Sequence, residues 1–277
     1  MRYCLAVISV ILLVSFMSPA LAGSQSDWND CDQTRDPDRS IFTCTRIIRG
    51  KGETARNRSG AYTDRGNAYN DKGDKDHAIA DYNKAIRLDP KYAFAYYNRG
   101  IAYNANGDHD RAIADYDDAI QLDPKNARAY RNRGVGYLYN GSLAKAEADF
   151  KQASELAPID AYAALWLDLA ERRNNIPSHL AEAETQLDMK AWPAPVVRLF
   201  LGELTPTAVL AAADDSNPKK KQEQVCEAKF YSGELAPLQG SKQDAARLFR
   251  IAADGCPKVF IEWAAANAEL KALDSKP

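Results

Sequence analysis

Four cysteines follow residue 22, where a predicted signal peptide ends, and the chemistry open to them depends on how they pair. An even number of cysteines in an exported chain favours disulfide bonds. Cys31 and Cys44 are close in sequence, and we predict that they pair and join two helices near the start of the protein. Zinc is the alternative for four cysteines. No Cys-x-x-Cys pair is present, which disfavours a metal site.

Acidic and histidine side chains are the other candidates for chemistry. Glu171, Glu182 and Glu184 are close in sequence and would suit an enzyme if they shared a pocket. The three histidines occupy unrelated positions, and no nucleophile motif, metal-ligand spacing or phosphate-binding glycine loop is present. The sequence therefore predicts a protein that is not an enzyme and that binds no metal or cofactor. The alternative is an enzyme whose site lies in residues 161–225.

A period of 34 residues dominates the middle of the chain and must position most other side chains. Glycines, alanines, aromatic residues and prolines recur at this step over three copies. The recurring sets are Gly66, Gly100 and Gly134; Tyr69, Tyr103 and Tyr137; Ala78, Ala112 and Ala146; Tyr82, Tyr116 and Phe150; Ala85, Ala119 and Ala153; Pro90, Pro124 and Pro158. Such a period is typical of solenoids, in which each repeat covers the apolar face of its neighbour.

Each repeat has the pattern of a helical hairpin. We number the repeats from Ser59, Ala93 and Ala127 as position 1. Positions 4, 8 and 11 have helical spacing, and so do positions 20, 24 and 27. Glycine at position 15 suits the turn, and proline at position 32 ends the second helix. The pattern resembles the tetratricopeptide repeat (TPR) superfamily. This resemblance implies an all-α fold, a helical-hairpin solenoid with three repeats over residues 59–160.

Oppositely charged residues recur at two facing positions of the hairpin. Position 7 is arginine in all three repeats, and position 23 is aspartate. The expected pairs are Arg65–Asp81, Arg99–Asp115 and Arg133–Asp149, and the alternative is that all six charges are simply solvated. A fourth, displaced repeat has Ser232 and Leu248 at these positions. Because both charges are lost together there, pairing is favoured.

The first helix of each repeat is predicted to line a concave face that binds a protein or peptide. Positions 2, 5, 6, 9 and 12 would face the groove, and an asparagine amide at position 6 can both donate to and accept from a peptide backbone. The alternative is that these asparagines only cap helices or face water. The candidate contact residues are Thr63, Asp64, Asn67, Phe94, Tyr97, Asn98, Arg128, Arg131 and Asn132.

The segments around the three repeats are predicted to be helical as well. Residues 23–58 would form N-terminal capping helices, with Asp36 as an N-cap before Pro37. Residues 161–225 would form an irregular helical insertion that ends in a polar loop at residues 214–224. Residues 260–277 would form a C-terminal capping helix.

A displaced fourth repeat is predicted over residues 226–259. The matching residues are Gly233, Ala236, Gly240, Ala245, Phe249, Ala252 and Pro257. Cys226 and Cys256 fall at positions 1 and 31 of this repeat. Because the start of the first helix and the end of the second are neighbours in an antiparallel hairpin, we predict a Cys226–Cys256 disulfide.

The first 22 residues have the pattern of a secretory signal peptide. Arg2 precedes an apolar run from Cys4 to Met17, and Ala20-Leu21-Ala22 suits cleavage. The alternative is an uncleaved anchor. Cleavage would leave no membrane span and 255 residues, with 35 basic and 38 acidic side chains. This slightly acidic balance argues against nucleic acid as a partner. Two disulfides and a signal peptide together predict a periplasmic or secreted protein.

Short motifs outside the repeats carry a more specific resemblance. They are Leu165-Trp166-Leu167, Leu169-Ala170-Glu171, Phe200-Leu201-Gly202, Phe230-Tyr231-Ser232-Gly233 and Phe260-Ile261-Glu262. Their order resembles the NlpI-type periplasmic TPR lipoproteins, although the lipid-attachment cysteine of that family is absent here. The resemblance implies a homodimeric, non-enzymatic adaptor for cell-envelope proteases and peptidoglycan hydrolases. A structural module whose terminal helices form a homodimer is the alternative.

Overall fold

The computed structural model describes residues 24–32, 36–238, 240–258 and 260–274. The predicted signal peptide lies outside this part of the chain. Within it the protein forms fifteen α-helices and no strand, so the prediction of an all-α solenoid is confirmed. The helices are α1 (Gln25–Cys31), α2 (Pro37–Arg49), α3 (Ala55–Asp71), α4 (Lys75–Leu88), α5 (Ala93–Ala105), α6 (His109–Leu122), α7 (Ala127–Tyr139), α8 (Leu143–Leu156), α9 (Ala161–Arg173), α10 (Leu180–Glu184), α11 (Ala194–Phe200), α12 (Pro206–Ala212), α13 (Pro218–Leu238), α14 (Lys242–Gly255) and α15 (Ile261–Asp274).

The helix ends follow from local sequence. Asp36 Oδ1 accepts hydrogen bonds from the Asp38 and Arg39 amides at the start of α2, as predicted for an N-cap. The predicted turn glycine of the first repeat, Gly73, has φ +78°, a conformation that glycine adopts without strain. α4 ends at Leu88, two residues before a proline that cannot continue a helix. The three hairpins α3–α4, α5–α6 and α7–α8 thus begin and end at repeated signals.

Glycine at position 8 lets the two helices of each hairpin approach closely. A Cβ atom at Gly100 would lie 2.7 Å from Tyr116 Cε1, and the same contact recurs at Gly66 with Tyr82, Gly134 with Phe150 and Gly233 with Phe249. All four aromatic rings are fully buried. The recurrence of this contact in α13–α14 shows that the displaced segment packs as the other three hairpins do.

The predicted Arg–Asp pairs are present in all three repeats. Arg99 Nε and Nη2 donate to the two carboxylate oxygens of Asp115 at 2.8 and 2.5 Å, and the other two pairs have the same bidentate geometry. The hydrogen bond with Asp149 is the largest cause that raises the pKa of Arg133. These pairs are mostly buried, with the aspartates the less exposed partners.

Each arginine also reaches the preceding hairpin, a contact that the sequence argument missed. Arg99 Nη1 donates to Asn83 Oδ1 at 2.5 Å, and Arg133 Nη1 donates to Asp117 Oδ1 at 2.6 Å. Arg65 Nη1 likewise donates to Thr45 on α2 at 2.9 Å. Position 7 therefore fastens two successive hairpins together as well as the two helices of one hairpin.

The second half of the chain has one continuous apolar core. Trp166 on α9 is fully buried, and its ring stacks on Phe150 and contacts both Phe230 and Tyr231. Phe200 on α11 meets Tyr231 edge to face at 5.9 Å between ring centroids. The irregular insertion is thus anchored to the third hairpin on one side and to α13 on the other.

The predicted polar loop at residues 214–224 is wrong from residue 218 onward. α13 begins at Pro218 and already includes the lysine run. Asn217 Oδ1 accepts hydrogen bonds from the amides of Lys219 and Lys220, which starts the helix, and Pro218 needs no amide donor at this position. As a result, Cys226 lies inside the first helix of its hairpin rather than at its beginning.

Both predicted cysteine pairs lie at disulfide distance. The Cα atoms of Cys31 and Cys44 are 4.9 Å apart, and this pair connects α1 to α2. The Cα atoms of Cys226 and Cys256 are 5.0 Å apart, and this pair connects α13 to the end of α14. Among the described residues, no helix is both long and apolar enough to cross a membrane.

Candidate interaction site

The first helices of the repeats form one face of the solenoid, which we call the inner face. It is the surface of α3, α5 and α7 that carries repeat positions 2, 5, 6, 9 and 12. Successive first helices pack side by side along it. The C-terminal helix α15 packs on α14 and also lies across α5 and α7. The inner face is therefore partly covered by the chain itself.

Four contacts hold α15 in this position. Trp263 Nε1 donates to the Ala253 carbonyl at 3.0 Å, and its ring lies 4.6 Å from the ammonium of Lys75. Tyr231 OH donates to Glu262 Oε1 at 3.2 Å. Arg173 Nη2 donates to Glu269 Oε1 at 2.6 Å. These contacts come from four different helices, so α15 is part of the folded core.

Three of the predicted contact residues lie beside α15 and line a cavity. Arg131 Nη1 donates to Asp160 Oδ2 at 3.0 Å, and its guanidinium lies over the ring of Tyr162. Asn132 is only 7% exposed, and its Nδ2 donates to the hydroxyl of Tyr97 at 3.3 Å. Asn132 therefore hydrogen-bonds within the fold and does not face an open groove.

Two further predicted residues have internal hydrogen-bond partners, and a third is partly buried. Thr63 is buried, and its hydroxyl donates to the Ser59 carbonyl at 3.0 Å. Asn67 Oδ1 accepts a hydrogen bond from Tyr82 OH at 2.9 Å. Asp64 is half-buried, and burial followed by the nearby Asp32 raises its pKa to about 7.

The remaining three predicted residues lie on the part of the inner face that solvent reaches. Phe94 is 59% exposed, which is unusual for a large apolar side chain. Arg128 is exposed, and Asn98 is half-buried without a side-chain hydrogen bond to any described residue. The structure therefore divides the nine predicted residues. Phe94, Asn98 and Arg128 remain open on α5 and α7, and we call them the open patch.

The cavity beside α15 has a volume of about 320 Å³ and contains two buried carboxyl groups. Glu227 on α13 is 6% exposed, and its Oε2 accepts hydrogen bonds from Tyr162 OH at 2.8 Å and Trp192 Nε1 at 2.6 Å. Glu262 on α15 is 4% exposed. Burial, and next the charge of Glu262, raises the pKa of Glu227 to about 8. Burial also raises the pKa of Glu262.

Comparison with known proteins identifies the repeats. One family profile, described as TPR repeat, matches residues 66–107, and a second, described as tetratricopeptide repeat, matches residues 93–126. The chain contains tetratricopeptide repeats. No curated protein matches the chain.

Two solved structures are similar to parts of this chain. MamA 41-end from Desulfovibrio magneticus RS-1 is 19% identical, with a TM-score of 0.50 over 60% of this chain and 94% of that one. The first TPR of Spaghetti (RPAP3), solved bound to the HSP90 peptide SRMEEVD, is 25% identical with a TM-score of 0.43; the match covers 44% of this chain and 97% of that one. The likeness to MamA concerns the fold alone.

The acids proposed for an enzymatic site do not all converge. Glu171 accepts hydrogen bonds from the backbone amide of His179 at 3.0 Å and pairs with its Nδ1 at 2.6 Å. Glu171 and Glu182 line a second cavity of about 210 Å³, and Glu184 lies outside its lining. Among the described residues, no group of three or more His, Cys, Asp or Glu side chains could hold a metal ion.

Sequence reasoning missed the two carboxyl groups of the larger cavity. Glu227 and Glu262 lie in ordinary helical sequence, where a glutamate is most often a solvated surface residue. Their burial arises because α15 packs on α13 and also contacts α5 and α7, which are far from it in sequence. Glu262 ends the motif Phe260-Ile261-Glu262, but that motif indicates only a family resemblance and no buried carboxyl group.

Proposed function

We propose that this protein is a non-enzymatic interaction scaffold that binds a segment of another polypeptide on its inner face. The observation that carries the proposal is the chain's own helix α15, which lies across α5 and α7. A surface that holds one helix has the shape to receive another polypeptide segment beside it. The open patch lies on the same two helices, α5 and α7, that α15 contacts.

The chemistry of the open patch suits a polypeptide ligand. Phe94 offers an exposed ring for an apolar side chain, and Asn98 can donate to and accept from a peptide backbone. Arg128 adds an exposed cation for a carboxylate. Aromatic and arginine side chains of this kind commonly contribute most of the binding energy at protein interfaces.

Peptide display followed by measured affinities tests this proposal. Random peptides would be selected on the wild-type protein, and the dissociation constants of the enriched peptides would be measured for variants. Phe94→Ala should weaken binding at least tenfold. Phe42→Ala is a matched control, because Phe42 is 63% exposed on α2, away from the inner face, and this variant should stay within twofold of wild type. Failure to enrich any peptide, or equal losses in the two variants, would contradict the proposal.

We further infer that the scaffold is exported and acts as an adaptor in the cell envelope. The predicted signal peptide supports export, and two cysteine pairs at disulfide distance are compatible with an oxidising compartment. The resemblance to the NlpI-type proteins supports envelope proteases or hydrolases as partners and a homodimeric state. Cell fractionation, together with the solution mass from light scattering, tests location and assembly. A cytosolic protein would contradict export, and a monomeric mass would contradict the dimer.

A further inference from the structure

We propose that the cavity between α12, α13 and α14 receives an aromatic side chain of another polypeptide, together with a carboxylate that flanks this side chain. The cavity has a volume of about 360 Å³, and ligand sites in proteins commonly have about 300–1,000 Å³. Its lining residues come from α12, α13, α14 and the N-cap of α14. The site is therefore separate from the inner face and does not rest on the function proposed for that face.

The other three hairpins fill the corresponding positions with their own large side chains. In the first hairpin the guanidinium carbon of Arg65 lies 5.3 Å from the ring centroid of Tyr62 and 6.0 Å from that of Tyr69. These tyrosines stand at repeat positions 4 and 11. The same arrangement recurs around Arg99 and Arg133, at distances from 5.4 to 5.9 Å. Each hairpin thus holds two aromatic rings and one guanidinium beside its aspartate at position 23.

The displaced hairpin lacks all four of these side chains. It has Lys229 at position 4, Ser232 at position 7, Ala236 at position 11 and Leu248 at position 23. All four residues line the cavity. Because serine and alanine are much smaller than arginine and tyrosine, the cavity lies where the other hairpins place a guanidinium and an aromatic ring. A side chain of another polypeptide therefore has the size and shape to occupy it.

The walls of the cavity favour an aromatic side chain over a cationic one. Ala228, Ala236 and Leu248 are buried and apolar, and Pro206 and Leu210 of α12 extend this apolar lining. Leu248 stands where the other hairpins have the aspartate that binds arginine, so a guanidinium would lose its bidentate partner here. An aromatic ring needs only apolar contacts and gains by leaving water.

The charged groups of the lining favour a carboxylate beside the ring. They are two cations, Lys229 and Arg247, and one anion, Asp244. Asp244 Oδ1 accepts a hydrogen bond from Arg247 at 3.3 Å, and Asp244 Oδ2 accepts one from the Ser241 hydroxyl at 2.7 Å. Lys229 is half-buried, and its ammonium has no hydrogen bond or ion pair within the described part of the chain. This ammonium would bind a carboxylate of the incoming segment.

NMR titration of the whole protein with labelled alanine and leucine methyl groups tests the site. The probe is the peptide acetyl-Asp-Phe-Asp amide. Its neutral control is acetyl-Asn-Phe-Asn amide, and its control without a ring is acetyl-Asp-Leu-Asp amide. The probe should bind at least about fivefold more tightly than either control, because each control lacks one of the two recognised groups. The methyl signals that shift should be those of Ala228, Ala236 and Leu248.

A further compound distinguishes a polypeptide from a small metabolite. 3-Phenylpropanoate carries the ring and the carboxylate without a peptide backbone. It should bind more weakly than acetyl-Asp-Phe-Asp amide. Tighter binding of 3-phenylpropanoate would assign the cavity to a free aromatic acid and overturn the assignment to a polypeptide.

Two variants of the cavity test its two parts separately. Ala236→Tyr adds the ring that the other hairpins carry at position 11, and it should weaken binding of the acidic peptide about tenfold because it fills the cavity. Lys229→Gln removes the ammonium, so the acidic and neutral peptides should then bind equally. If Ala236→Tyr does not fold, Lys229→Gln still decides whether the carboxylate is recognised at this site.

Two control variants should bind the acidic peptide within twofold of wild type. Lys151→Gln removes an exposed ammonium on α8, outside the cavity. Phe94→Ala changes the inner face, so failure of the function proposed there and failure of this site are separate results. Equal affinity for the peptide without a ring, methyl shifts confined to other parts of the protein, or wild-type affinity in a folded Ala236→Tyr or Lys229→Gln variant would overturn the proposal.

Discussion

Replacing Gly66 by alanine should destabilise the protein, whereas replacing Gly60 in the same helix should stabilise it. Both residues lie inside α3. The two substitutions add the same methyl group, and alanine is favoured over glycine by about 1 kcal/mol inside a helix. Any difference between the two variants therefore reports the surroundings of the added atom.

Those surroundings differ sharply. A Cβ atom at Gly66 would lie 2.6 Å from Tyr82 Cε1 and 2.9 Å from Cδ1, whereas at Gly60 no atom lies within 4 Å. Carbon atoms prefer separations of about 3.5–4.0 Å, so the ring would have to move by about 1 Å. Tyr82 is 1% exposed and its hydroxyl is bound to Asn67, which prevents an easy movement.

The magnitudes follow from these contacts. Overpacking a well-filled core costs about 1–3 kcal/mol, and the rigid ring places Gly66→Ala near the upper end. After the gain in helix propensity, its free energy of unfolding should fall by about 2 kcal/mol. That of Gly60→Ala should rise by about 0.5–1 kcal/mol. In a chain of this size these changes correspond to a Tm about 4–8 °C lower and about 1–4 °C higher, respectively.

Urea unfolding followed by circular dichroism measures both free energies. Gly100→Ala repeats the experiment in the second repeat, where the same contact is 2.7 Å. A Gly66→Ala variant as stable as wild type, or a change of the same sign in the two α3 variants, would refute the argument that close packing requires glycine at position 8.

Two further predictions concern the cross-links within the hairpins. Asp115→Ala should lower the free energy of unfolding by about 3 kcal/mol, because Arg99 loses a buried partner. In a double-mutant cycle measured by urea unfolding, the variant that combines Asp115→Ala with Arg99→Ala should lose less free energy of unfolding than the two single variants together, by at least about 1 kcal/mol. Additive losses would show that the pair contributes little. Replacing Cys226 and Cys256 by serine should cost about 3–4 kcal/mol, and a reductant should then lower Tm by less than it does in wild type. An unchanged response to the reductant would contradict that bond.

The position of α15 explains why the inner face cannot be judged from repeat positions alone. Asn98 and Asn132 share position 6, and the sequence treats them as equivalent. The structure leaves Asn98 half-buried and buries Asn132 against Tyr97. Because α15 covers only part of α5 and α7, equivalent positions in neighbouring repeats face different surroundings.

Much of the local structure was determined by the sequence itself. The 34-residue period can be read directly from the sequence. The helix ends and turns follow from signals within a few residues, such as glycine at position 15 and the proline after each second helix. The Arg–Asp pairs were also predictable, because the two helices of a hairpin meet in a fixed register set by a short turn. The disulfide-distance pairs were predictable as well, because each joins two helices that are neighbours in the chain and pack against each other.

Only the tertiary structure decided what lies on the inner face. α15 returns from a distance along the chain to contact α5, α7 and α13, and no local signal specifies such contacts. This packing places Glu227 and Glu262 in the lining of one cavity and separates the open patch from the covered part of the face. Local hydrogen bonding and steric limits determine a hairpin, whereas the fit between distant apolar surfaces determines which hairpins share a site.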